Sequence, residues 1–388
     1  MFSSLSNKKL VIVLLLLLVV LSLIGIISLG TKKSHASPEL SNVHQQLEKF
    51  ASIYKEAIQK PWPILAPQQL LKMGISSQDV VMLRERLQFT GDLAVSSVNY
   101  PLFDKKLEEA VLLFQHRHGL IANGQVTKET LAALNVSPEK RMKQLQANIE
   151  RWKHFEQKQS RRYLWVNIPD YHARLIENEQ VSLIERVIIG KPSNPTPELY
   201  SKMTDIMLNP YWIVPKSIAK KNLIPKAINN PSYLEQQNIR VFLTSTQEEV
   251  PLAQVDWTNV ANNVQDYFFR QEPGPHNPLG QIKFKITNKN SIYLHDTSSK
   301  QLFDESQRAL SSGCIRLQNP FSLFAKLAED NQSVSKQQSD LKSILKSGET
   351  LSIKLNEPLP VYITYLTAWV DNKGLLHFAQ DVYNRDVG

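Results

Sequence analysis

Cys314 is the only cysteine in a chain of 388 residues, and it stands in Ser311-Ser312-Gly313-Cys314-Ile315-Arg316, 19 positions after His295. A lone thiol cannot staple its own chain, and an exposed one is open to oxidation, so its retention calls for a chemical reason. The bland alternative is a small buried hydrophobe. A free thiol is ionised to only roughly a few per cent near neutrality, and thiol enzymes therefore pair it with a base. His295 suits that task, because an unperturbed imidazole titrates close to working pH. Gly313 is permissive enough for a close approach of backbone to substrate, and the successive Gly313 and Cys314 N–H groups would form an oxyanion hole. These residue types point to nucleophilic catalysis. The structural reading of the same residues makes His295 a satisfied core histidine and Arg316 a surface ion-pair partner.

Ser291-Ile292-Tyr293-Leu294-His295 reads as a short strand, and period two puts Tyr293 on the same face as His295. Asp296-Thr297-Ser298-Ser299 is turn-prone, and residues 299–309 suit a short amphipathic helix. After the thiol, Ile315-Arg316-Leu317 is extended. Asn319 and Pro320 then open a helix with Phe321, Phe324 and Leu327 at helical spacing.

The segment resembles the signature of the L,D-transpeptidases of YkuD type: a His, then Ser/Thr-His-Gly-Cys, an apolar residue and a polar one, often Arg. His295, Ser311, Gly313, Cys314, Ile315 and Arg316 match, while Ser312 stands where many members carry His. Ser-Ser-Gly-Cys is similar to the YcbB-type subgroup, as are Val187-Ile188-Ile189-Gly190-Lys191-Pro192, Asn209-Pro210-Tyr211-Trp212-Ile213-Val214-Pro215 and the run from Gln271 to Gly280. The resemblance covers roughly residues 76–385. It implies a peptidoglycan cross-linking enzyme in which Cys314 attacks the carbonyl before the terminal D-Ala of a donor stem. D-Ala is released, and an acceptor amine resolves the thioester into a 3→3 link. His295 would be the general base and acid, Gly313 part of the oxyanion hole, and Arg316, Tyr293 and Ser312 would contact substrate. Carbapenem β-lactams are the covalent inhibitors it implies. An L,D-carboxypeptidase, attachment of a wall protein by the same thiol, and a sortase-like transpeptidase remain as alternatives. In a sortase, however, His and Cys lie much farther apart. No cofactor or metal is expected: there is no His-Glu-x-x-His, and His116-x-His118 lacks further ligands.

Composition is that of an ordinary globular protein, 42% hydrophobic and 21% charged, with a formal net charge of +9. The surplus suits an anionic partner, such as wall glycopeptide with its free carboxylates or an acidic lipid surface. Its basic residues are dispersed and no nucleic-acid motif is present, which argues against nucleic acid. Behind Lys8-Lys9, 17 of the 20 residues from Leu10 to Leu29 are Leu, Ile or Val. At about −0.3 to −0.6 kcal/mol each, membrane insertion of that run is favourable by roughly 5–10 kcal/mol. Its length suits an uncleaved signal anchor in the cytoplasmic membrane, with the bulk of the chain in the periplasm. Ser34-His35-Ala36 keeps a cleaved signal peptide and a free periplasmic protein open, and Lys32-Lys33 blur the charge asymmetry.

The expected organisation is multidomain α+β. It comprises the N-terminal segment 1–36, a stalk or scaffold over 37–75, and a small three-helix module over 76–136 that resembles a peptidoglycan-binding domain. A helical linker over 137–160 leads to a mainly antiparallel β catalytic domain, a sandwich or barrel, over 161–330. A helical lid is expected over about 216–270, and C-terminal strands over 331–388 (Leu351–Leu355, Val361–Val370 and Leu375–Tyr383).

Overall fold

The computed structural model describes residues 43–95, 100–156, 160–230 and 232–386. The Leu10–Leu29 run, its flanking lysines and Ser34-His35-Ala36 lie outside the described residues. Among the described residues no helix is long and apolar enough to cross a membrane.

The largest element is a closed, barrel-like sheet. β1 (Arg162–Asn167), β2 (His172–Glu177), β3 (Gln180–Gly190) and β4 (Leu199–Leu208) follow one another along the chain. β9 (Ile282–Ile286), β10 (Tyr293–His295), β11 (Ala309–Ser311), β12 (Ile315–Leu317) and β13 (Leu351–Thr364) complete it. The strand order is β11-β3-β12-β10-β9-β4-β13-β1-β2, and a further β2–β3 pairing closes the ring. Closure leaves few edges open to a foreign strand. Antiparallel pairs predominate, as the alternating sequence implied, but β1–β13, β10–β12 and β3–β11 are parallel. Asn178 and Glu179 both carry positive φ (49° and 67°), so β2 and β3 meet in the two-residue turn that matches strand twist.

One residue in two faces the interior. Ile282, Phe284 and Ile286 of β9 join Leu294, Ile315, Leu317, Val187, Ile189, Met203 and Ile206 in a single buried cluster. The helix Pro320–Ala328 covers part of that core with Leu323, Phe324 and Leu327, while Phe321 is only half-buried. The crossover from β10 to β12 holds a 3₁₀ turn (Lys300–Asp304) and then β11, where a longer helix over 299–309 was expected. Arg308 in that crossover anchors it, donating to the Val187 and Tyr171 carbonyls. Leu351–Leu355 and Val361 belong to one long strand interrupted by a bulge between Lys354 and Leu359, not to two. The chain then leaves the barrel, and only β14 (Ala368–Val370) and β15 (Leu376–Phe378) of the expected terminal strands form. Asp371 closes that hairpin, its Oδ1 accepting from Lys373 and Leu375 N–H at 2.9 Å each.

The insertion between β4 and β9 differs from the helical lid expected over 216–270. It carries short helical pieces, among them Ile224–Asn229 and Trp257–Asn262, together with its own four-stranded sheet. That sheet is formed by β5 (Trp212–Ile213), β6 (Ile239–Leu243), β7 (Glu249–Val250) and β8 (Tyr267–Gln271) in the order β5-β8-β6-β7. Its strands are too short for period two to stand out. Val214, Leu223, Ile224, Val241, Val260 and Phe269 give it a separate core.

The helical part begins with α1 (Val43–Ala57), followed by α2 (Gln78–Phe89), α3 (Lys105–Arg117) and α4 (Lys128–Leu134), then the long α5 (Pro138–Glu156). Asp104 caps α3 by accepting Leu107 N–H at 2.9 Å, and Gly119 beyond its end has φ +64°. Ser77 sits at the N-cap of α2 but makes no capping bond through its side chain. Val80, Leu83, Leu87, Leu107, Val111, Phe114 and Leu134 form the module's own core. Val43, Leu47 and Tyr54 of α1 instead pack with Trp152 and Phe155 of α5, Trp165 of the barrel and Phe378 of the hairpin. Arg117 ties the module to that hairpin: it pairs with Asp92 at 2.5 Å and donates to the Leu376 carbonyl.

Phe284→Ala should destabilise the barrel by about 3–5 kcal/mol, since Phe284 is fully buried and no neighbour can refill its volume. Lys285→Ala, one residue on and exposed, should change stability by less than about 0.5 kcal/mol. Urea unfolding followed by circular dichroism reads both, and equal effects would contradict the alternation of faces.

Candidate active site

The site is set by register. β10 lies between β9 and β12, with Leu294 opposite both Phe284 and Ile315, all three in the barrel core. His295 pairs with Lys283 on one side and Arg316 on the other, so these three side chains share the opposite face. Tyr293 shares it by period two, and Cys314 does so two residues before Arg316. A ladder of strands thus gathers Lys283, Tyr293, His295, Cys314 and Arg316 into one outward patch.

The thiol is half-buried, its sulfur 3.8 Å from the Ser291 carbonyl. Burial pushes the Cys314 thiol above its ordinary pKa; hydrogen bonds from the Tyr293 backbone and hydroxyl, then the charges of Lys283 and Arg316, pull it back. Tyr293 is itself raised, first by burial and then by Cys314, while Trp212 hydrogen-bonds its hydroxyl. The Lys283 ammonium sits 4.0 Å from the centre of the Tyr293 ring, and the Tyr293 and His295 rings meet edge to face at 5.5 Å.

His295 is 4% exposed, and its Nδ1 lies 2.5 Å from the Asp296 carbonyl. A carbonyl only accepts, so Nδ1 carries the proton and Nε2 is the bare, basic nitrogen. Burial, followed by the Arg316 charge, pushes the imidazole down to about 3, so it rests neutral. The sulfur's hydrogen bonds are with Ser291 and Tyr293 rather than with this ring. Asp296 braces the strand end. Its Oδ2 accepts Gln281 N–H at 2.9 Å and its Oδ1 pairs with Lys300 at 2.6 Å. Gly280 stands against it, where a Cβ would come within 2.2 Å of that carboxylate.

The loop before the thiol is held by its own hydrogen bonds. Gly313 has φ +116°, which suits glycine, but its N–H is donated to Ser311 Oγ at 3.1 Å. Ser311 Oγ–H in turn donates to the Cys314 carbonyl at 2.6 Å. The Gly313 N–H is therefore engaged within the turn. Ser312 is exposed beside it. Arg316 is half-buried, and its Nε is buried without a hydrogen-bond partner. Among the described residues neither Arg316 nor Lys283 is in an ion pair. Two unpaired cations beside a thiol suit an anionic ligand.

Sequence reasoning overlooked Lys283 and assigned Trp212 no role at the thiol. Lys283 was legible in the alternation of Ile282, Phe284 and Ile286, which puts it on the outer face. Trp212 had no such signal, because it arrives from the insertion. His118 is buried against Phe114, its Nδ1 2.7 Å from the Phe114 carbonyl, and no group of three candidate metal ligands occurs among the described residues.

Residues 161–336 match the family model of the L,D-transpeptidase catalytic domain (YkuD), and residues 76–134 that of the putative peptidoglycan binding domain. A putative L,D-transpeptidase of Haemophilus influenzae is 32% identical over 223 residues, covering 58% of this chain and 44% of that protein. The match thus spans less than half the length of this relative. Similar solved structures include an L,D-transpeptidase from Stackebrandtia nassauensis, 13% identical over 76% of this chain and 94% of that one, with a TM-score of 0.28. Another, from Xylanimonas cellulosilytica, is 17% identical over 68% and 91%, with a TM-score of 0.20.

Alkylation of Cys314 by iodoacetamide should rise with pH through a midpoint above that of an ordinary cysteine, because burial favours the neutral thiol. Lys283→Met removes a charge that favours the thiolate, so the midpoint should move further up and alkylation at about pH 8 should slow several-fold. Intact-mass kinetics across the pH range measure both. A midpoint below the ordinary cysteine value would refute this account.

Proposed function

Because residues 161–336 of this chain are an L,D-transpeptidase catalytic domain of the YkuD family and residues 76–134 a peptidoglycan-binding domain, we propose that it forms 3→3 cross-links between peptidoglycan stem peptides through Cys314. The observation that carries this reading is the outward patch on β9, β10 and β12, with thiol, imidazole, phenol and two unpaired cations on one face. The Ser-Ser-Gly-Cys segment and the insertion between β4 and β9 favour the YcbB-like subgroup.

In the proposed reaction His295 Nε2 takes the thiol proton, and the thiolate attacks the carbonyl joining the third, diaminopimelate-type residue to the terminal D-Ala. The bond to nitrogen breaks, the imidazolium returns the proton to the leaving amine, and free D-Ala departs from a thioester. An acceptor amine then attacks the thioester carbonyl and loses a proton to His295. The new amide forms as the sulfur leaves as a thiolate, which takes that proton back from His295. A neutral resting imidazole is the form able to accept a proton, and the buried thiol keeps it nearby. The Cys314 N–H is a donor for the developing oxyanion, joined by the Tyr293 hydroxyl once attack by the sulfur frees it from that atom. Arg316 and Lys283 meet stem-peptide carboxylates, with Ser312 at the rim. This substrate places the protein in the cell envelope, with the N-terminal segment as anchor or export signal and the three-helix module holding the enzyme on the wall.

Incubation with a disaccharide-tetrapeptide and mass analysis should give the cross-linked dimer and free D-Ala. Cys314→Ala should abolish both, and His295→Ala should slow them by about 10²–10⁴-fold, the usual weight of a general base. Trimmed tripeptide without dimer would convert the reading into a carboxypeptidase. No product at all from folded wild-type protein would end it.

Carbapenems should acylate the same sulfur, because their strained carbonyl imitates the scissile amide. One adduct is expected by intact mass, mapping to the peptide that contains Cys314 and missing in Cys314→Ala. An adduct on another residue would overturn the assignment of the nucleophile.

A further inference from the structure

Behind the nucleophile lies a second layer that the proposed reaction leaves without a task. Thr196, in the loop after β3, is fully buried, and its hydroxyl accepts Gly190 N–H at 2.8 Å while donating to the Gly313 carbonyl at 2.8 Å. No other proton arrangement fits, because an N–H only donates and a carbonyl only accepts. The C-terminal tail braces the loop. Tyr383 donates its hydroxyl proton to the Gly190 carbonyl at 2.5 Å and accepts Thr196 N–H at 3.1 Å. Tyr383 is itself held, its N–H donating to the Tyr365 hydroxyl at 2.7 Å, and the Tyr365 proton going to Asp381 at 2.5 Å. The two phenol rings stack with centres 5.5 Å apart. The loop is tightly packed, since a Cβ on Gly190 would come within 2.2 Å of the Asn194 carbonyl.

The Gly313 carbonyl belongs to the same peptide unit as the Cys314 N–H. That unit is planar and trans, so the two groups point in opposite directions. Glycine at φ +116° leaves the backbone freer to swing than any other residue would. Tethering the carbonyl on one side therefore fixes where the N–H points on the other. Ser311 engages the Gly313 N–H and the Cys314 carbonyl, whereas the Cys314 N–H donates to no acceptor among the described residues. It is the one donor of this turn left for a ligand.

We propose that Thr196, braced by Tyr383, is a positioning residue that aims the Cys314 N–H at the oxyanion of the acyl-transfer intermediate. The inference rests on the thiol acyl-transfer reading above. It assigns to the loop after β3 and to the C-terminal tail an effect on transition-state charge that is separate from the ionisation of the sulfur.

Two reactions of the same sulfur separate these effects. Alkylation by iodoacetamide is a displacement at carbon and makes no oxyanion, whereas acylation by a carbapenem passes through one. Thr196→Val should slow carbapenem acylation by about 10- to 100-fold, the range expected for one misdirected oxyanion donor, with the alkylation rate and its pH profile unchanged. Thr196→Ser keeps the hydroxyl and should restore acylation. Tyr383→Phe, one bond further away, should slow acylation less and also spare alkylation; it carries the test if Thr196→Val does not fold. Wild-type protein that is alkylated but never acylated would overturn the functional reading and this inference with it. Wild-type acylation with equal rates in the variants would overturn the inference alone. A parallel loss of both reactions would make Thr196 a support for the thiol and overturn it as well.

Discussion

The parallel pairing of β10 with β12 is the constraint on which the site depends. Leu294 and Ile315 face the core from adjacent strands, and each buried side chain of this size favours its position by about 1.5–3 kcal/mol. A slip of one residue would bring His295, Arg316 and Cys314 into the barrel interior and expose both apolar residues. The register that satisfies the core therefore also presents the chemistry outward. A parallel pair needs a crossover, and this one runs through β11 and the Ser311–Gly313 turn, delivering the thiol at the start of β12.

Electrostatics on that patch are a contest between burial and nearby charge. Burial raises the thiol and lowers the imidazole, so both rest neutral, and Lys283 and Arg316 only partly offset the rise at sulfur. The same two cations help keep the imidazole low. Their own charges are costly to hold half-buried without a carboxylate beside them, a cost that an anionic ligand would relieve. Proton transfer in the proposed reaction thus depends on the substrate entering and completing the charge balance.

Around this patch the remaining elements act as supports of different reach. Asp296 and Lys300 fix the end of β10 from within the crossover. The terminal tail reaches the loop after β3 through Tyr383, which stands 193 positions after the Gly190 it holds. Helices α1 and α5, the barrel's outer aromatic residues and the β14–β15 hairpin form a second core of their own, so these helices join the barrel through packed surfaces.

Local patterns of residue type carry the local features. Period two put Tyr293 and His295 on one strand face, Asn319 and Pro320 marked the start of the following helix, and the types and spacing of His295, Gly313 and Cys314 located the candidate chemistry. Tertiary structure alone decided what depends on partners distant in the chain. Period two assigns Lys283 to a face but does not reveal that β9 lies beside β10. Glycine at position 313 signals an unusual backbone, yet which of its polar groups are engaged depends on Ser311 and on Thr196, more than a hundred residues earlier. The insertion's sheet escaped notice because its strands are two to five residues long, too short for a periodic signal, and they hold together only through one another. Patterns in sequence report the solvent-facing and core-facing sides of an element. Which neighbour lies across a face is settled by chain closure and packing, which no local window contains.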